Sequence, residues 1–173
     1  MTPKSKNRKQ LLDTIMDTIS NQYIYDTIDY KNKDEDYIKQ FMYTPLLNKI
    51  AECFVKYPKE KQIEMAKKSL VWESNKQNTL HNMILFGTQH RPDMEVNIND
   101  ITIAIEIKKG DTGTDVRSGL GQCLVYQTKY SFTLFLFIDT SSDKRILNSI
   151  KSDKEMGLIN SLWDNYNVMF NIV

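Results

Sequence analysis

Residues 93–108, DMEVNINDITIAIEIK, sort completely into two faces. Side chains alternate along a strand, so two strands joined at Asn99-Asp100 send Met94, Val96, Ile98, Ile101, Ile103, Ile105 and Ile107 to one side. The other side carries Asp93, Glu95, Asn97, Thr102, Ala104, Glu106 and Lys108. Asn-Asp is a workable two-residue turn, though weaker than Asn-Gly. A slip of one residue would turn every isoleucine to the wrong side, so the pairing is strongly specified. Ile98 opposite Ile101 then sets Asp93 opposite Glu106.

Two carboxylates directly across a strand pair repel each other. At a separation of about 5 Å and an effective dielectric of about 20, the repulsion is on the order of 3 kcal/mol. A half-buried face carrying such a pair calls for a cation. Lys108 shares the face with Glu106 and neutralises part of the charge. A divalent ion would do more, and hard carboxylate oxygens with no Cys or His in the cluster select Mg²⁺ or Mn²⁺ over zinc. If the face is merely solvated, Asp93→Asn should instead raise stability by relieving the repulsion.

The rest of the chain supplies covering layers. Leu11, Leu12, Ile15, Met16 and Ile19 fall at helical spacing, as do Ile38, Phe41, Met42, Leu46, Leu47, Ile50, Phe54 and Val55. Pro45 within the second stripe predicts a kink or a join, and Pro58 predicts its end, with a third helix over 59–72. Residues 83–86 read as a short strand. Four of the six glycines lie in 110–121, which predicts a loop running into a helix that ends near Lys129. Residues 132–138 form a continuous apolar run suited to a strand buried on both faces. A helix over 143–151 and a strand over 167–173 complete a mixed α/β sheet flanked by helices and preceded by N-terminal helices.

With 173 residues and 40% apolar content, one domain is expected: a helical part over 1–75 and an α/β core over 82–173. Lys and Arg total 23 against 22 Asp and Glu, which excludes a strongly basic nucleic-acid coating protein but not local contact with a strand. No apolar run approaches a membrane span. Cys53 and Cys123 are too far apart in sequence for a zinc or disulfide signature, which points to a reducing cytoplasm.

Pro92-Asp93, twelve further residues, then Glu106-Ile107-Lys108 resembles the PD-(D/E)xK nuclease superfamily. The segment from Asp34-Glu35-Asp36 to Leu47 is similar to the helix bearing the first acidic residue in the nuclease domain of type I restriction enzyme motor subunits. Gln122 and Tyr126 match the QxxxY pattern of RecB-like members and share a helix face. The resemblance implies a restriction-endonuclease-like fold and a Mg²⁺-dependent deoxyribonuclease, with Mn²⁺ substituting. It implies metal ligation by Asp93, Glu106 and the backbone carbonyl of Ile107, with Glu35 in support. Lys108 would position the attacking water, while Gln122 and Tyr126 would orient the carboxylates or the substrate. DNA is the implied partner, with a second copy or another protein supplying targeting, in a microbial or viral intracellular setting. The alternative is a catalytically idle member of the fold that binds nucleic acid or a protein.

Other residues carry blander expectations. Glu95 reads as a solvated neighbour of Asp93, His81 and His90 as loop histidines, and Cys123 as a small buried residue. Asp34, Asp36 and Glu52 compete with Glu35 for its role. Lys109 and Arg117 could reach phosphates from a mobile glycine-rich segment, and the basic start, with Lys4, Lys6, Arg8 and Lys9, reads as a disordered solubilising end.

Overall fold

A computed structural model describes residues 3–72 and 82–173, with side chains from residue 7 onward. The expectation for His81 lies outside the described residues.

The alternating segment forms β4 (Met94–Ile98) and β5 (Ile101–Gly110) in the expected register, Ile98 against Ile101 and Met94 against Ile105. Asn99 takes a left-handed φ of 55° at the turn, a conformation asparagine tolerates better than most residues. A five-stranded mixed sheet is built around this hairpin in the order β1-β4-β5-β6-β7, with β1 at Leu70–Trp72, β6 at Phe132–Asp139 and β7 at Val168–Ile172. The β1–β4 and β4–β5 pairs are antiparallel, while β5–β6 and β6–β7 are parallel. A separate hairpin, β2 (Met83–Leu85) with β3 (Thr88–His90), precedes β4.

The all-apolar face packs on the N-terminal helices. Leu12, Ile15 and Ile19 of α1 (Pro3–Ile19) and Ile38, Met42, Leu46 and Ile50 of α3 (Glu35–Ala51) join Ile103, Ile105, Ile107, Leu134 and Leu136 in one buried cluster. A short α2 (Gln22–Thr27) links the two helices, and α4 (Lys59–Ser69) follows α3. The opposite face is covered by α5 (Gly113–Tyr126), α6 (Arg145–Ser149) and α7 (Asp153–Tyr166), with Phe135 and Phe137 of β6 packed among Cys123 and Leu162. β6 is therefore buried on both sides, as its unbroken apolar run predicts.

Several local expectations change. Pro45 does not divide its helix; α3 runs through it, because Leu46, Leu47 and Ile50 on its C-terminal side are anchored in the same core as Ile38 and Met42. The third helix stops at Ser69, and residues 70–72 become β1 because the free edge of β4 offers backbone partners. The expected helix over 143–151 is only five residues long, and the longer α7 was not foreseen. Its signal was Ser152 three residues before Glu155, whose backbone N–H the serine hydroxyl accepts at 3.3 Å. The basic start is helix from Pro3, with Arg8 paired to Asp100 at 2.7 Å and Lys9 to Asp13 at 2.9 Å. The glycine-rich stretch is mostly helix, with only Asp111 and Thr112 between β5 and α5.

One glycine of that helix sets how closely it lies on the sheet. A Cβ at Gly119 would come within 2.4 Å of the Phe135 ring. Gly119→Ala is expected to lower stability by about 1–3 kcal/mol, the cost of overpacking a filled core, measurable by urea denaturation. Gly121→Ala, where a Cβ meets nothing within 4 Å, is the neutral control.

Candidate functional site

The site lies where the β4–β5 hairpin opens, away from its turn. Asp93 sits at a bend just before β4, where the ladder ends with Met94 against Ile105, and its N–H donates to the Ile105 carbonyl at 3.1 Å. The expected strand pairing of Asp93 with Glu106 is thus replaced by a bend, from which the Asp93 carboxylate still acts on the charge of Glu106. The Ile107 N–H donates to Asp93 Oδ2 at 2.7 Å. Because the N–H and C=O of one strand residue point to the same edge, the Ile107 carbonyl is also directed past the end of β4.

Helix α3 brings in the third acid. Asp34 caps the helix, its side chain accepting from the Tyr37 N–H at 2.8 Å. Glu35, the first helical residue, is thereby turned toward β5. Its Oε1 accepts from the Lys109 N–H at 3.0 Å and lies 3.4 Å from Lys108 Nζ. Asp34 is committed to that cap, Asp36 reaches the site only by way of Lys39, and Glu52 pairs with Lys49.

The cation that sequence reasoning missed is Lys39. Its side chain is 5% exposed, and its Nζ lies 2.8 Å from both Asp93 Oδ1 and Asp36 Oδ1. A charged residue on the apolar stripe of a helix, one turn after Glu35, was the available signal: such a lysine is buried only if it is paired. Burial alone would lower the Lys39 pKa, but Asp93 and Asp36 outweigh it and hold the ammonium above its ordinary value. Asp93 itself is raised, burial prevailing over the pull of Lys39.

Glu106 is 4% exposed, and burial, followed by the charge of Asp93, pushes its pKa up to about 8. The Tyr126 hydroxyl stands 3.0 Å from Glu106 Oε2 and 2.8 Å from the Arg91 carbonyl. One phenolic proton cannot satisfy two acceptors fully. A protonated Glu106 resolves this by donating to the Tyr126 oxygen, leaving the phenol proton for Arg91. Tyr126 is raised by burial and by Glu106.

The structure thus gathers Glu35, Asp93, Glu106, Lys108 and Tyr126. Gln122, one turn before Tyr126, is half-buried, and no hydrogen bond joins it to the cluster among the described residues. Glu95 is not solvated: it is fully buried and accepts from the Tyr130 hydroxyl, because α5 and the segment after it cover that face. His90 is half-buried, paired with Met83 in the small hairpin. Lys109 Nζ donates to the Lys31 and Lys33 carbonyls, each at 2.6 Å, and so clamps the approach to α3. Arg117 donates to Thr114 Oγ1 at 2.9 Å. Cys123 is buried, which pushes its thiol pKa up.

Among the described residues no group of three or more Asp, Glu, His or Cys stands ready at metal-holding spacing. The donor chemistry still suits a hard divalent ion: carboxylates of Asp93, Glu106 and Glu35 with one strand carbonyl. Each of these carboxylates already has a protein partner: Lys39 Nζ and the Ile107 N–H on Asp93, the Lys109 N–H on Glu35, and the Tyr126 hydroxyl on Glu106.

The fold and site define an α/β protein with a mixed sheet and a buried acid–lysine cluster at one hairpin end. No protein-family model matches the chain, and no solved structure matches it. A curated relative is the ribosomal RNA small subunit methyltransferase H of Sulfurihydrogenibium sp. (strain YO3AOP1), 25% identical over 162 residues. The match covers 91% of this chain but 52% of the relative, so the chain spans about half the length of the protein it matches. This similarity corrects the expectation of a metal-dependent deoxyribonuclease, and with it the terms nuclease, endonuclease and hydrolase: the relative is named for methyl transfer to RNA, not for hydrolysis of DNA. Among the described residues no helix is long and apolar enough to cross a membrane.

Proposed function

We propose that the cluster at the open end of the hairpin binds nucleic acid through a backbone phosphate, with a hard divalent cation, Mg²⁺ or Mn²⁺, between phosphate and carboxylates. The carrying observation is that Asp93, held at 2.7 Å by the Ile107 N–H, lies beside Glu106 at the open end of the hairpin, with Lys108 and Glu35, 32% and 27% exposed, 3.4 Å apart at the mouth. The ion would be held by Asp93, Glu106 and the Ile107 carbonyl, with Glu35 reaching it directly or through water. It would supply the positive charge that lets an anionic strand approach three acids, while Lys108 meets the phosphate. A fold relation to the PD-(D/E)xK superfamily is proposed with this reading, at the level of the scaffold. So is an intracellular setting, where nucleic acid and reduced Cys53 and Cys123 coexist. The RNA in the relative's name supports a nucleic-acid partner.

Methyl transfer is a second reading, favoured by the relative alone. Nucleoside cofactors in α/β folds commonly lie on a helix N-terminus after a glycine turn, with an acid at the next strand's end holding the ribose. The corresponding residues here are Gly110–Gly113 and Asp139, and they do not fit. Thr112 and Asp115 close the α5 N-terminus in a capping box. Asp139 is fully buried and accepts from the Ser141, Ile146 and Leu147 N–H groups.

Fluorescence anisotropy with labelled single-stranded RNA, single-stranded DNA and duplex DNA tests the proposal. Binding is expected in Mg²⁺, weakened at least about tenfold by EDTA and by Lys108→Met, equivalent to about 1.4 kcal/mol. Affinity indifferent to both changes would sink it. Retention of S-adenosylmethionine in equilibrium dialysis would favour the second reading.

A further inference from the structure

We propose that the β2–β3 hairpin is a stacking element for unpaired nucleobases, with Phe86 at its tip lying against a base of the strand whose backbone meets the acid–lysine cluster. The inference rests on the nucleic-acid reading above and adds to it the form of the nucleic acid, single-stranded rather than duplex.

Three observations carry it. Leu85 pairs with Thr88, so Phe86 and Gly87 form the whole turn, and both take left-handed φ, 52° and 71°. Such a turn favours Asn, Asp or Gly at its first position, and a bulky side chain there is strained. Yet Phe86 is 93% exposed, as is most of Ile84 two residues before it. The ring strains the turn and buries almost nothing in return, so the stability of this fold does not explain it. A strained, displayed aromatic points to contact with something outside the chain. The hairpin is also tied to the site. β3 ends at His90, and the next residue, Arg91, offers its carbonyl to the Tyr126 hydroxyl at 2.8 Å, the same hydroxyl that stands 3.0 Å from Glu106. Phe86 precedes Asp93 by seven residues, so the tip lies at most about 25 Å from that acid, within reach of one short strand. Finally, residues 82–91 contain no Asp or Glu in a chain that has 22 of them, and Thr88, Gln89 and Arg91 are exposed along the way from tip to site. That path repels no phosphate. Phe86 and Ile84 together offer far less area than a stable protein interface needs, but one ring is enough to cover one base. Bases inside a duplex are already stacked on each other, so an unpaired base is the partner this tip fits.

The test is fluorescence anisotropy of the full chain with labelled oligo(dT), with an abasic oligonucleotide of the same length and with duplex DNA. Phe86→Asn is expected to bind oligo(dT) at least about tenfold more weakly than the natural chain, the loss of one base–aromatic stack. The same variant should melt higher, because asparagine suits the turn, whereas loss of a side chain the fold needs would lower the melting temperature. Phe86→Gly, which frees the backbone further, should behave alike. The salt dependence of binding should keep its slope in Phe86→Asn and lose part of it in Lys108→Met, since only the second removes a phosphate contact. On the abasic strand the natural chain and Phe86→Asn should bind equally. Phe86→Trp should retain affinity, and oligo(dT) should quench its added emission. Equal affinity of the natural chain and Phe86→Asn for oligo(dT) would overturn the stacking role, and the phosphate reading would stand if Lys108→Met still weakened binding. Weakening by Phe86→Asn with no effect of Lys108→Met or EDTA would keep the hairpin and remove the phosphate site. Duplex bound as tightly as oligo(dT) would overturn the single-strand assignment. A dimer in sedimentation velocity that Phe86→Asn abolishes, with oligo(dT) affinity unchanged, would overturn the proposal in favour of a second copy of the chain.

Discussion

Replacing Asp93 with alanine is expected to destabilise the fold by about 3–5 kcal/mol, the usual result of breaking a buried ion pair and leaving one charge behind. Lys39 is the charge left behind. Its Nζ would keep only the exposed Asp36, and the Ile107 N–H would lose its acceptor as well. Asp93→Asn should cost about half as much, because the amide oxygen can still accept from Ile107. The sign decides between two pictures of this face. A solvated pair of repelling acids would become more stable when one is neutralised, whereas an acid serving as the counter-charge of a buried lysine cannot be neutralised without loss. Urea denaturation of Asp93→Ala, Lys39→Met and the double variant closes a cycle. A coupling energy of at least about 2 kcal/mol is expected, in the range found for residues that share one network. Additive losses, or a gain in Asp93→Asn, would contradict the geometry.

Stability should also fall as the medium becomes alkaline, and Glu106 should account for most of the change. Its pKa rises from 4.5 to about 8 on folding, chiefly through burial and then through Asp93. The folded state therefore binds this proton more tightly than the unfolded chain does. The contribution is fully present below about pH 4.5 and is lost as pH rises through about 8. Within that window one proton gives a slope of at most about 1.4 kcal/mol per pH unit. Glu106→Gln removes the titrating proton while keeping the shape and the contact with Tyr126. Its melting temperature, measured in EDTA from pH 5 to 8.5, should change much less than that of the natural chain and exceed it at the alkaline end. A natural chain whose stability holds constant or rises over that range would show that Glu106 is already ionised at low pH.

The parts of this molecule that were legible in the sequence are those governed by neighbours along the chain. Alternation determined the hairpin and its register from Met94 against Ile105 to Ile98 against Ile101, because a strand's period of two leaves one register that buries the isoleucines, while the bend that sets Asp93 beside Glu106 lies beyond it. The unbroken run in 132–138 determined a strand covered on both sides, and the spacing of Leu12, Ile15 and Ile19 a helix with one buried face. Tertiary structure decided what lay across long separations. Lys39 reaches Asp93 from 54 residues away, and nothing local to the hairpin announces it. Continuity of α3 through Pro45, conversion of residues 70–72 from helix to edge strand, and burial of Glu95 under Tyr130 have the same origin. Each depends on which surface happens to face the segment once the core has closed, and packing against that surface outweighs the local preference of a few residues. The need for a cation beside two facing acids is simple electrostatics and could be read from the chain. That a lysine on a distant helix answers it, at Asp93 Oδ1, is a fact of assembly.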